Sequence, residues 1–347
     1  MLVVDALEVP GRFVDGRPLV AAADLERLVG WTVRPEGLCR GDVCIPSAAF
    51  AAPIADSPTD GGPILDGAAD EVSQSVDLLA VADVLGRPMV ADGDTGIVAL
   101  ALPSEERRRA LVDRQAPDFA LPDLTGETRR LSDWAGRKRL LVTFASWCGC
   151  RYDLPGWQAL DDELDGLTVV AVAMDQTADD VRPWVDGISM PVLVDADHVL
   201  SELYAMSNVP TVVWIDEDDG VARPNTLAFG TDTFAEITGV AAGPHLDAVR
   251  RWVHDGELPP EAGEVADLDD DEVLARLHFR VGVVALRCGH PDAGRRHLLA
   301  AAALAPYDWT VRRAAMPLLG QDPFGQEFMD LYDQWRSDGS PYHGLLP

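Results

Sequence analysis

Cys148 and Cys150 are separated by Gly149 alone, preceded by Trp147 and followed by Arg151, with Pro155 five residues beyond Cys150. An apolar run, 140–145, leads into the pair, and a helical pattern, 150–164, leads away from it. Two thiols at the junction of a strand and a helix point to thiol–disulfide chemistry. A cysteine at a helix N-terminus meets backbone N–H groups that lack intrahelical partners and the positive end of the helix dipole. Both favour thiolate over thiol, so the pKa is expected to fall and the reactivity at neutral pH to rise. Arg151 is expected to add a positive charge beside the sulfur, and Trp147 to shield one side of it from water. No metal or organic cofactor is implied.

The elements that must position these residues alternate along 114–258. Strands are expected at 140–145, 169–174, 191–194, 211–215 and 227–230, and helices at 150–164, 178–185, 198–205 and 244–254. Pro155 is expected to kink the first helix, because its nitrogen cannot donate to the preceding turn. Strand–helix alternation implies a three-layer α/β domain. Residues 1–103 read as a small α+β domain of unknown role. It has a strand at 2–9, a short helix at 24–28 stopped by Gly30, two strands within 31–45, a helix at 77–85 and a hairpin at 89–102. Residues 51–69, rich in Pro, Gly and Asp, read as a long exposed loop. A charged helix, 104–114, joins this domain to the next. After an acidic, Pro-containing linker, 256–271, residues 272–347 read as helical, with breaks at Gly289-His290-Pro291 and near Asp308. The first helical pair there loosely resembles a tetratricopeptide hairpin. One such hairpin cannot bury its own face, so it is expected to pack on the central domain.

The central domain resembles the thioredoxin-like redoxins, especially the TlpA/ResA type of thiol-disulfide reductase, over roughly 116–253. The resemblance is carried by Ala116-Pro117-Asp118-Phe119, Leu121-Pro122-Asp123-Leu124, Gly126 and Leu131-Ser132-Asp133. It continues through Phe144-Ala145-Ser146-Trp147-Cys148-Gly149-Cys150-Arg151 and Asp153-Leu154-Pro155, and closes with Val209-Pro210-Thr211. It implies a thioredoxin-like α/β fold and thiol–disulfide oxidoreductase activity. It also implies a cis peptide bond at Pro210 beside the sulfurs. That bond would leave the Val209 backbone to pair with an extended substrate segment, a short β-augmentation, with Thr211 beside it as a second substrate-binding residue. The implied partners are a protein or small-molecule disulfide or thiol, and an electron donor of unknown identity.

The chain departs from that family in having one residue rather than two between its cysteines. Residues i and i+2 lie on nearly opposite sides of a helix. A Cys148–Cys150 disulfide therefore requires Cys148 to sit off the helix, with Gly149 absorbing the distortion. Either the pair is unusually oxidising, or one cysteine works alone and another thiol resolves it. Counting from Trp147 and from Pro155 assigns Cys148 as nucleophile and Cys150 as its resolving partner. Two alternatives stand beside this reading. One is a non-catalytic binding or scaffold protein with a thioredoxin fold. The other is a thiol peroxidase, against which Ala145 stands where that family places Thr or Ser, three residues before its reactive cysteine.

Cys39 and Cys44 flank Arg40-Gly41-Asp42-Val43. If Gly41-Asp42 makes a two-residue turn, the two cysteines face each other as a non-hydrogen-bonded pair, where side chains come closest. They form a possible second redox pair, with two reduced thiols as the alternative. Cys288 reads as a core cysteine at a helix end, Asp195 as a helix cap, and 216–220 as a hairpin turn. Asp153 reads equally as a proton acceptor or as a solvated acid. Across 347 residues a net charge of −30 argues against nucleic acid and anionic membranes as partners. The start of the chain has no continuous apolar core, so a cytoplasmic location is expected, and there cysteines are more often catalytic than structural.

Overall fold

The computed structural model describes residues 2–4, 7–46, 75–259 and 263–345; the loop expected at 51–69 lies outside them. The chain clusters into two compact units, where three segments were expected. One comprises Met1–Pro103 with Arg280–His297, and the other Ser104–Phe279 with Leu298–Pro347.

The second unit is built on a five-stranded sheet. Its strands are β1 (Lys138–Phe144), β2 (Leu167–Ala173), β3 (Val192–Val194), β4 (Val212–Ile215) and β5 (Val221–Thr226), in spatial order β3-β2-β1-β4-β5. The first three run parallel, while β4 is antiparallel to β1 and β5 to β4. Every residue of β2 and β4 is buried, the signature of strands covered on both faces. The longer helices are α1 (Leu154–Glu163), α2 (Ala242–Asp255), α3 (Asp270–Arg287), α4 (Pro291–Leu304), α5 (Trp309–Leu318) and α6 (Gln326–Ser337). Trp157 of α1 and Trp214 of β4 pack against the buried His245 at 6.0 and 5.4 Å between ring centroids, and Trp252 of α2 packs against Trp214 at 5.0 Å. Burial and the charge of Arg223 push His245 down to about 3, so it packs as a neutral ring.

The fifth strand lies six residues before its expected place at 227–230. Asp216 Oδ1 accepts the N–H groups of Asp218 (3.0 Å) and Gly220 (2.6 Å), so the chain reverses at once and pairing resumes at Val221. Pro224 lies within this strand and obscures it in the sequence; as the outermost strand it tolerates a residue that cannot donate to a ladder. Both ends of β5 are covered by other parts of the chain. Val221 N–H donates to Arg114 C=O at 2.7 Å, and Leu345 pairs in parallel with Thr226. At the opposite edge of the sheet, Asp123 bridges to Leu193 of β3.

The first unit keeps the expected α+β character with finer divisions. The strand expected at 2–9 is two antiparallel strands, Leu2–Val4 and Leu7–Val9. The two expected within 31–45 are three: Thr32–Arg34, Gly37–Arg40 and Val43–Ile45. Asp77 caps the helix Leu78–Val84 by accepting from Leu79 and Ala80. The outer part of the α3–α4 hairpin clusters with this unit rather than with the central domain. Arg280 donates to Leu100 C=O at 3.1 Å, and Arg296 and His297 meet Asp92 at 2.5 and 3.0 Å. Residues 280–297 of the hairpin cluster with the first unit, and the remainder of α3 and α4 with the second. A fourth helix, α6, lies beyond the three read from the C-terminal sequence.

Candidate active site: a dithiol at a helix start

β1 ends at Phe144 and delivers the chain to the loop that carries the thiols. Asp175, just past β2, holds that loop by accepting the Ser146 N–H at 3.0 Å and its hydroxyl at 2.5 Å. Burial raises Asp175 to about 6 against these hydrogen bonds. Trp147 is buried and donates its indole N–H to Met174 C=O at 3.1 Å, which anchors the loop to the same strand end.

Cys148 has extended backbone angles (φ −117°, ψ 144°) and caps a short 3-10 turn, Gly149–Asp153, that runs directly into α1. It therefore sits off the helix, as a closely spaced pair requires. Gly149 does not have a positive φ, so its glycine has a different cause from the one expected. A Cβ there would lie 2.5 Å from Cζ of Phe234, whose ring covers the turn. Pro155 stands in the first turn of α1, where no backbone N–H is needed, so it starts the helix rather than kinking it. Gly149→Ala should push the Phe234 ring aside, at a cost of about 1 kcal/mol. Iodoacetamide labelling of Cys148 should then quicken severalfold. Unchanged labelling would show that this ring does not guard the thiols.

Both cysteines are free thiols, 4% and 3% exposed. Cys148 Sγ accepts the Cys150 N–H at 3.3 Å and lies 3.3 Å from Val209 C=O, to which its thiol donates. The Val209–Pro210 bond is cis. Burial pushes the Cys148 thiol up. Hydrogen bonds from the Cys150 side chain and backbone, together with the charge of Arg313, outweigh this and hold Cys148 below the ordinary thiol range. Cys150 is pushed well above that range, first by burial and then by its bond to the Cys148 sulfur. The two environments therefore drive the thiols apart in acidity.

Arg151 does not supply the charge expected of it. Its guanidinium donates to Ser146 C=O and Tyr152 Oη and packs over Trp184 (4.0 Å), Phe324 (4.6 Å) and Tyr152 (4.8 Å). The cation acting on Cys148 is Arg313 of α5, some 160 residues away, and no signal in the sequence links the two. Thr211 is also committed elsewhere. Its N–H donates to Thr143 Oγ1 at 2.8 Å and its C=O accepts the Thr143 N–H at 2.9 Å, so its backbone belongs to the sheet rather than to a substrate.

Asp153 is fully buried, which removes the solvated reading. Its Oδ1 accepts the N–H (3.0 Å) and hydroxyl (2.6 Å) of Thr231, while Oδ2 has no partner. Burial raises it to about 6 in spite of those bonds. Two glycines allow this clamp, because a Cβ on Gly156 would lie 2.0 Å from Gly230 O and one on Gly230 2.7 Å from Asp153 O. Thr231 and Phe234 follow the segment expected to be a strand, 227–230, so their role is not readable from their own neighbourhood. Cys288 lies far from this chemistry in the chain and is exposed rather than core, because it falls just past the end of α3.

A reduced dithiol at the start of a helix, facing a cis-proline loop across the end of a mixed sheet, defines a thioredoxin-fold redox protein. Residues 112–233 match the profile of the AhpC/TSA family. The chain is 37% identical over 111 residues to the thioredoxin-like protein YneN of Bacillus subtilis, which takes in 30% of this chain and 65% of that protein. It is 27% identical over 150 residues to the thiol-disulfide oxidoreductase ResA of Geobacillus thermodenitrificans, covering 42% of this chain and 82% of ResA. Among solved structures, the pneumococcal exposed lipoprotein thioredoxin Etrx1 of Streptococcus pneumoniae is 33% identical. It covers 30% of this chain and 85% of its own, with a TM-score of 0.28. Over its central domain the chain is thus similar to the thioredoxin-like redoxins of the TlpA/ResA thiol-disulfide oxidoreductase type.

Proposed function

We propose that the chain reduces disulfides, with Cys148 as the attacking thiolate and Cys150 as the thiol that resolves the mixed disulfide. The observation that carries this reading is the geometry of the pair: Cys148 sits off the helix start, its sulfur accepts the Cys150 N–H at 3.3 Å and it faces the cis Val209–Pro210 bond, and the lowering of Cys148 and raising of Cys150 agree with it. The Cys148 thiolate attacks one sulfur of a substrate disulfide. That S–S bond breaks, and the departing sulfur leaves as a thiolate that takes a proton from solvent. Cys150 then gives its proton to Asp153, attacks the Cys148 sulfur and expels the second substrate thiolate. The substrate has gained two electrons and the chain holds a Cys148–Cys150 disulfide, which an external dithiol must reduce. Protein and small-molecule disulfides both fit this chemistry. The test uses the reduced chain with Cys39, Cys44 and Cys288 replaced by Ser. It should reduce an aromatic disulfide reagent with the loss of two thiols per chain. No reaction would favour the non-catalytic binding reading.

The pairing of Cys39 with Cys44 is present as a disulfide with Cα atoms 4.1 Å apart, between a buried Cys39 and an exposed Cys44. An incoming thiolate would reach the Cys44 sulfur and expel Cys39. Placing the protein in the cytoplasm makes this bond a cycling one rather than a permanent staple. The double change Cys39→Ser with Cys44→Ser should lower turnover with a dithiol donor severalfold, and trapping in cell extracts should find part of the pair reduced. Unchanged turnover would show that this pair passes no electrons to Cys148 and Cys150.

A further inference from the structure

Helix α5 begins on the loop that carries the cis bond. Trp309 N–H donates to Ser207 C=O at 2.8 Å, and the Thr310 hydroxyl reaches Met206 C=O at 3.5 Å. The same loop is held by Arg276, which donates to Met206 C=O at 2.6 Å and pairs with Asp308, the cap of α5, at 2.7 Å. The start of α5 is therefore tied to the residues just before Val209. Arg313 stands one turn along from Trp309.

The guanidinium of Arg313 is fixed in place. Its Nε and Nη2 donate to Pro323 C=O at 3.1 and 2.9 Å, and it packs over Phe328 at 3.7 Å and Phe324 at 5.1 Å. Phe324 also lies 4.6 Å from Arg151, the residue after Cys150. One ring thus sits against two guanidinium groups, and the turn between α5 and α6 is fastened to the redox loop itself. Among the described residues Arg313 makes no ion pair with a carboxylate, and its two hydrogen bonds go to one neutral carbonyl. A half-buried cation held by a neutral acceptor and two aromatic rings has its charge left to balance an anion that forms nearby.

We infer that Arg313 is the positioning residue whose charge holds Cys148 as a thiolate, so that the helical C-terminal segment is part of the redox centre. This rests on Cys148 being the attacking thiol. The groups acting on Cys148 are Arg313 from α5, and Cys150 and Asp153 from the 3-10 turn, the last of which opposes the thiolate. Arg151, turned to Ser146 C=O and Tyr152 Oη, is not among these groups. The attraction is reciprocal: burial pushes the Arg313 guanidinium down, and the two thiols push it back up.

The test is the pH dependence of Cys148 alkylation by iodoacetamide, followed by mass spectrometry in the full reduced chain. It compares the unchanged protein with Arg313→Gln, Arg313→Met and Arg313→Lys. In Arg313→Gln the midpoint should rise by about one unit, which slows labelling roughly tenfold at pH values below both midpoints. Arg313→Met keeps the apolar stem against Phe328 without the charge, and should show the same rise even where Gln disturbs folding. Arg313→Lys should stay near the unchanged protein. A folded Gln or Met variant with an unshifted midpoint overturns the inference, as does a Lys variant that shifts as far as Gln. An ordinary midpoint near ~8.5 in the unchanged protein would instead remove Cys148 as the nucleophile.

Discussion

Cys148→Ser should abolish disulfide reduction, with a rate at least about 10³-fold lower, and Cys150→Ser should accumulate a covalent adduct between Cys148 and its substrate. A serine hydroxyl in the same place gains nothing useful from the Cys150 N–H or from Arg313, because it stays protonated at neutral pH. The thiol of Cys148 does gain from them, since both act on its ionised form. Cys150 is held as a thiol, so removing it leaves the first attack intact and stops the second. The measurement is mass spectrometry of each variant after brief exposure to an aromatic disulfide, before and after a reductant. An adduct that forms on Cys150 in the Cys148→Ser protein, with none on Cys148 in the Cys150→Ser protein, would reverse the roles.

Asp153→Asn should slow resolution of the mixed disulfide by about 10²-fold, the scale of a lost general base. An amide cannot take the Cys150 proton, whereas a carboxylate at about 6 is ionised at neutral pH and close to the working range. The unchanged enzyme should lose resolution rate as pH falls through 6, and the Asn variant should lack that step. Stability should move the other way. The folded pKa of about 6 lies above the ~3.9 of an unfolded Asp, so between these values the folded state holds the extra proton. Stability then falls as pH rises through that window, and the penalty persists above it. Asp153→Asn should therefore gain roughly 1–3 kcal/mol at pH 8 and nothing at pH 4, less the cost of an amide N–H in place of the unpartnered Oδ2. Urea unfolding at the two pH values measures this. A gain of equal size at both would show that ionisation of Asp153 is not its cause.

The parts of the site that are legible in the sequence are those built from neighbours. Trp147, Cys148 and Cys150 lie within four residues, and their strand-to-helix setting follows from hydrophobic periodicity. Val209-Pro210 is legible through family resemblance, since a proline alone does not announce its isomer. Arg151 misleads because proximity in sequence is taken for proximity of charge. Its side chain turns to Ser146 and a stack of rings, and that choice depends on Trp184 and Phe324 from distant parts of the chain. Arg313, Thr231 and Phe234 belong to the centre only through packing that no local pattern records. The N-terminal divisions fail for a simpler reason: apolar runs at 2–9 and 31–45 show that strands exist but not where tight turns cut them.

The closures at the margins of the five-stranded sheet bear on how the protein behaves in crowded solution. An outer strand with unpaired backbone groups is a template on which another chain can add itself. Here the ends of β5 are occupied by Arg114 and Leu345, and β3 is met by Asp123. Leu345 donates to Asn225 C=O at 2.9 Å and accepts from Leu227 N–H at 3.0 Å, so the last described residue closes one side of the sheet. Shortening the chain by a few residues there would leave the fold's centre intact. It would also open a sticky margin, and self-association would be its first symptom.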